Sequence, residues 1–311
     1  MSTYIFEKAP VPKAVAKMVI PSIISMLGVI IYNMADTFFV GQTGDAAQVA
    51  AVSLATPVFM IFMAIGNIFG VGGSSLISRL IGQGKKDTVR KISSFSFYAS
   101  ITFGLLMIVV FFLGMDTILQ MIGSNDKTSG LARIYLSTVT IGAPFVIFSS
   151  VFSHIVRSEG AANEAMAGML LGNIINIIFD PILILWMDMG VEGAGWATVI
   201  GNLIGTIYYI WYLFGKKTTL SIAFKNIRID KRELWEIFAI GVPASLANLL
   251  MSISNILINN VLNNFENGEI QVAAMGVAIR ASMLVVLLQM GFAIGIQPLV
   301  GYNYGAKNVI R

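Results

Sequence analysis

Eight apolar runs divide the chain, each long enough to cross the roughly 30 Å hydrocarbon core of a bilayer as a helix. They fall at about 14–40, 47–78, 92–114, 132–156, 165–187, 193–214, 233–264 and 271–303. Backbone in lipid must satisfy its own hydrogen bonds, so these runs predict an all-α polytopic membrane protein. With 56% hydrophobic and 12% charged residues and a mean hydropathy of +0.81, a 311-residue water-soluble domain is excluded. The second, seventh and eighth runs exceed a single span, which predicts tilt or extension beyond the lipid. The first is too long for a signal-peptide core and is read as retained.

The basic residues set an orientation. Seventeen of the twenty Lys and Arg residues fall on one side when the N-terminus is placed in the cytoplasm. They include Lys8, Lys13 and Lys17, Arg79 to Lys91, Arg157, the 215–232 connector and the C-terminal end. Lys127 and Arg133 lie opposite, and Arg280 lies within a run. The outer loops are acidic instead, with Asp45, Asp116, Asp126, Asp188, Glu192, Glu266 and Glu269. Topology therefore accounts for the net charge of +4, and no nucleic-acid partner is expected.

Several chemistries are absent from the sequence. The chain has no cysteine, which removes disulfides, thiolate metal sites and cysteine nucleophiles together. Its one histidine, His154, rules out a histidine-clustered metal site. Gly82-Gln83-Gly84-Lys85 follows a helix and lacks the spacing of a phosphate-binding loop, and no hydrolase elbow or zinc-protease motif occurs. Neither an enzyme nor a bound cofactor is expected.

The chain also repeats itself. Gln48-Val49-Ala50-Ala51 recurs 223 residues later as Gln271-Val272-Ala273-Ala274, and the same spacing pairs Gly72 with Gly295 and Gly82 with Gly305. A spacing of 222 pairs Ile20-Pro21 with Val242-Pro243 and Asn33 with Asn255. Six helices separate the copies. An even number keeps both in the same orientation, as in parallel transporter repeats related by an axis along the membrane normal. The predicted organisation is a six-helix lobe over 1–214, a basic cytoplasmic connector over 215–232, and the first two helices of a second lobe over 233–311. Four further helices, 9–12, are expected to belong to the same full-length protein.

Two carboxylates, Asp36 and Asp180, sit inside the first and fifth runs. A charged side chain near a bilayer centre costs roughly 3 kcal/mol on insertion scales, so such residues are functional candidates. An Asp near a helix end can merely cap a neighbour, but both of these lie well inside their segments. Asn176 and Asp180 are spaced i, i+4 and project from one helix face, where amide and carboxylate oxygens suit a hard cation such as Na⁺. Pro181 has no N–H for the carbonyl of Ile177, which either simply kinks the helix or frees another oxygen in the same turn. A proton would serve the pair as well as Na⁺.

Several segments together resemble one family. They are Tyr32-Asn33-Met34-Ala35-Asp36-Thr37-Phe38-Phe39-Val40-Gly41, Arg157-Ser158-Glu159-Gly160, Asn176-Ile177-Ile178-Phe179-Asp180-Pro181, Gly193-Ala194-Gly195-Trp196-Ala197-Thr198 and Gln297-Pro298-Leu299-Val300-Gly301-Tyr302-Asn303-Tyr304-Gly305. Running nearly end to end, they look like the multidrug and toxic compound extrusion (MATE) family. The resemblance implies two six-helix lobes flanking a central cavity and export of organic, often cationic, compounds across the cytoplasmic membrane against inward H⁺ or Na⁺. It also implies a cation site in the N-terminal lobe that matches Asp36 and Asp180, with Asn176 and Thr198 as polar partners and possible Na⁺ ligands. Tyr32, Tyr135 and Pro181 are its supporting network. Filling such a site would change which arrangement of the first, fifth and sixth helices is cheapest, and a substrate preferring the other arrangement would be released.

Other polar residues within the runs have blander readings. Arg280 either snorkels from the eighth helix or faces the cavity. Asn255, Asn259, Asn260, Asn263 and Asn264 are expected to bond between helices. Gly66, Gly70, Gly72, Gly73, Ser74 and Ser75 predict close helix packing, and His154 an interfacial role beside Arg157 and Glu159. Two alternatives remain. A flippase for lipid-linked oligosaccharide should carry more basic residues in its cavity than Arg280, and an inactive membrane scaffold would make the acids relics.

Overall fold

The computed structural model describes residues 4–215, 218–263, 268–308 and 310. Most side chains between 248 and 284 lie outside the described residues, including those of Asn255, Asn259, Asn260, Asn263, Asn264 and Arg280, as do Lys216, Lys217, Glu266 and Arg311. Among the described residues the secondary structure is helical throughout, with no strand.

In chain order the α-helices are α1 Tyr4–Glu7, α2 Val11–Gly41, α3 Ala46–Gly82, α4 Lys86–Leu113, α5 Met115–Met121 and α6 Ser129–Ile141. They continue with α7 Ala143–Ser158, α8 Ala162–Asp180, α9 Val191–Leu213, α10 Lys231–Asn263 and α11 Gly268–Gly305. Among the described residues five are long and apolar enough to cross a membrane, namely α2, α3, α4, α8 with the turn that follows it, and Val285–Gly305 of α11. The pair α6 and α7 makes a sixth, bent by 54°. At 23 residues α9 is about 35 Å long and also reaches across the bundle.

The expected uninterrupted helix over 132–156 is corrected by that bend. Gly142 ends α6, and Pro144 in the first turn of α7 has no N–H to continue the hydrogen-bond ladder. Hydropathy runs unbroken through the break, which is why periodicity alone passes over it.

The bundle has a basic and an acidic end. At the basic end α1 lays Phe6 on the Tyr302 ring, centroids 4.7 Å apart and 10° from parallel, and the Tyr302 hydroxyl donates to Glu7. Arg79 of α3 pairs with Glu236 of α10 at 3.1 Å. The stretch 218–222 is tied across the ends of α4, α7 and α9. Ser93 and Ser94 donate to the Ser221 carbonyl, and Tyr98 donates to that of Ile222. Glu159, 1% exposed, accepts from Tyr212, from the Thr218 hydroxyl and from both the N–H and hydroxyl of Thr219. Arg157 is no loop charge. It closes α7 at 1% exposure, and its three side-chain nitrogens have no hydrogen-bond partner among the described residues.

The internal duplication leaves a signature where α3 meets α11. Gly82 packs on the Tyr302 carbonyl while Gly305 packs on the Arg79 carbonyl, and 79/302 and 82/305 are both repeat mates 223 residues apart. Gly301 sits on Ser78, and Gln297 Nε2 donates to Ser74 Oγ at 3.3 Å, again each against its own mate. Such a reciprocal contact, i on j and j on i, is what a two-fold axis between copies produces.

The small-residue run of α3 packs closely, as expected. Gly66 faces Ser150, Gly70 faces His154 and Val151, Gly72 faces Ile237, and Gly73 faces Ser96. His154 therefore serves a helix contact between α7 and α3.

Candidate cation site

Four helices converge on the two acids. The expectation that both acids lie well inside their helices is corrected: Asp36 lies just over one turn before the end of α2, and Asp180 is the last residue of α8, where the chain passes into a π turn at Pro181. Asn176 stands one turn before Asp180, Thr198 comes from α9 and Tyr135 from α6. Asp180 is 0% exposed, Asn176 2%, Thr198 3%, Tyr135 7% and Asp36 9%. Tyr32, one turn before Asp36, is half-buried and lies within electrostatic reach of both carboxylates. Asp180 in turn lies within electrostatic reach of Asp36. The predicted residues are thus brought together, Arg280 alone lying outside the described residues.

Close approach of α9 to α8 builds the pocket. Gly201 has no side chain, and a Cβ there would stand 2.6 Å from the Gly172 carbonyl and 3.1 Å from Asn176 Cβ. Asn176 Nδ2 reaches Thr198 Oγ1 at 3.4 Å, and the Tyr135 ring packs against Gly195, one turn before Thr198. Beyond Asp180 the chain widens into a π turn, Pro181–Trp186. A proline that cannot donate one α-helical bond favours this local i→i+5 geometry, which recurs at functional sites. Neither the Gly172–Gly201 contact nor the π turn carries a sequence motif.

The hydrogen-bond inventory is one-sided. Asp36 Oδ1, both carboxylate oxygens of Asp180 and Asn176 Oδ1 are buried without a hydrogen-bond partner among the described residues. Buried acceptors are normally satisfied, and an orphaned one costs about 1–3 kcal/mol. Four such oxygens on the packed helices α2 and α8 suit a hard cation or a proton, since oxygen donors are what Na⁺ prefers and a carboxylate can take up a proton. Nearer the acidic end, a pocket of about 390 Å³ is lined by Gln42, Thr43, Gln48, Asp188 and Glu192 above an apolar floor.

A bundle of bilayer-length helices built by duplication, with buried acids between the helices of one copy, defines a polytopic membrane transporter. A family model, MatE, matches residues 21–182 and 243–311, and its two stretches begin at the mates Pro21 and Pro243. Multidrug export protein MepA of Staphylococcus aureus is 36% identical over 313 residues, covering 99% of this chain and 69% of that protein. MepA of Staphylococcus saprophyticus is 33% identical with the same coverage. A solved structure of MATE in the straight conformation superposes with a TM-score of 0.92 at 31% identity, covering 99% of this chain and 68% of that one. The chain belongs to the MATE family.

Proposed function

We propose that this chain forms the ion-coupling part of an antiporter that exports organic, often cationic, compounds across the cytoplasmic membrane by alternating access, with its N-terminus and basic end cytoplasmic. The observation that carries this reading is the set of four buried oxygens on Asp36, Asn176 and Asp180 that have no hydrogen-bond partner among the described residues. Inward-moving H⁺ or Na⁺ is a transported substrate, held by Asp36, Asn176, Asp180 and Thr198, with Tyr32, Tyr135 and the π turn at Pro181 shaping the pocket.

Empty, the pocket holds charge and lone pairs that only water can satisfy, so helices α2, α8 and α9 favour an arrangement that wets it. Filled, it tolerates a closed, dry arrangement. The export named in the staphylococcal relatives and the reciprocal α3–α11 contact support two lobes that rock about a common axis, residues 1–214 forming the first and 233–311 opening the second. The test is efflux of a fluorescent organic cation from vesicles carrying the transporter under an imposed pH or Na⁺ gradient. Gradient-driven efflux that Asp36→Asn or Asp180→Asn removes supports the reading, and efflux unchanged in both variants refutes it.

A further inference from the structure

The duplication relates two interfaces that ought to match: α2 against α11, and α10 against α3. They do not. On one side Ile237 packs on Gly72, Gly241 on Ile68, and Ser245 donates to the Ala64 carbonyl. Carried through the spacings of 222 and 223, those pairs correspond to Val15 on Gly295, Val19 on Gly291 and Ile23 on Leu287. The other side shows something else. A Cβ on Gly295 would stand 2.6 Å from Val19 Cα, and one on Gly291 would stand 2.9 Å from Ile23 Cα. α2 thus sits four residues, one helical turn or about 6 Å, out of register with its mate.

Side-chain shape would let the α2–α11 interface take a second register where the α10–α3 interface could not. Along α2, Val15, Val19 and Ile23 recur every fourth residue, all β-branched and of similar bulk. Gly291 and Gly295 are likewise four apart. Moving α2 by a turn toward the acidic end would put Val15 on Gly295 and Val19 on Gly291, so both glycine seats stay filled. The reverse move, which would give α10 on α3 the register α2 now holds on α11, would set Ile237 against Leu76 and Gly241 against Gly72, giving overlap at one level and a void at the next.

We propose that α2 steps one turn along α11 between the observed register and that of its mate while α10 holds its register on α3 as the pivot. Packed interfaces switch between discrete arrangements rather than deforming continuously, and one-turn ratchets are among the known switches. Because α2 carries Asp36, the step joins ion loading to lobe movement, and to that extent it rests on the coupling role given to Asp36 above.

The lack of cysteine makes the test direct. Val15 packs in one cluster with Leu299, so Val15→Cys with Leu299→Cys reads the observed register. Ile23→Cys with Leu287→Cys reads the stepped one. In vesicles, the first pair should form a disulfide at rest. The second should form only while an ion gradient drives efflux of a fluorescent organic cation. Either disulfide should stop efflux, and reductant should restore it. Nitroxides on the exposed positions of Ile20 and Met290 give an independent reading, a second distance several ångströms from the first during turnover. Efflux that continues with the first pair bridged, or one unchanging nitroxide distance during turnover, overturns the step and leaves the export reading standing. Reduced protein that never exports, with the nitroxide distances still exchanging, counts against the export reading instead.

Discussion

Two regions of the bundle bury carboxylates and treat them in opposite ways. At the basic end, Glu159 meets four donors from Tyr212, Thr218 and Thr219 and fastens the connector to α7 and α9. Between α2 and α8, Asp36 and Asp180 are also buried, yet three of their four oxygens have no partner among the described residues. Burial is common to both regions. Satisfaction separates a structural acid from one kept available for a transported ion, because an acid already holding its donors gains little from a cation.

The largest effect that would break this contrast is expected at Asp180. Asp180→Asn should abolish gradient-driven efflux without lowering the melting temperature of purified protein, since it removes a buried charge with no partner. An equal loss of stability would make Asp180 structural after all. Glu159→Gln should do the reverse, lowering stability by about 2 kcal/mol through donors left facing an amide while efflux per folded molecule stays near normal. Denaturant or thermal unfolding beside vesicle efflux reads both halves of that prediction.

Gly201→Ala tests the α8–α9 contact beside the two acids. Its methyl would push α9 off α8 at Asn176, with an expected stability cost of about 1–3 kcal/mol and a higher ion concentration needed for half-maximal efflux. Unchanged ion dependence would mean that Thr198 does not help hold the ion. The smallest effect belongs to Glu236→Gln, which removes the partly exposed pair with Arg79. It should cost no more than about 0.5 kcal/mol and leave coupling intact.

Much of this contrast is legible in the sequence, and unevenly so. Bilayer-length apolar runs mark the helices, because lipid leaves the backbone no other choice. The i, i+4 spacing of Asn176 and Asp180 gives half the site, since a helix face follows from spacing alone. Bringing Asp36 and Thr198 to that face needs the resemblance to a family, as nothing local says which helices adjoin. The bend at Gly142 is hidden by continuous hydropathy, and the π turn after Asp180 shows only as a proline open to two readings. Arg157 counts only as a cytoplasmic charge in the sequence because charge counting sees position along the chain and not the helix end that closes over it. Gly291 and Gly295 gain meaning only when the two repeat interfaces are superposed.

Ion-driven transport by the acid pair is the claim on which the rest stands. Its most direct measurement is efflux of a fluorescent organic cation from vesicles under separate pH and Na⁺ gradients, with the native protein and Asp36→Asn side by side. One gradient should drive efflux through the native protein and neither through the variant. Equal efflux through both would show that the buried acids do not carry the coupling.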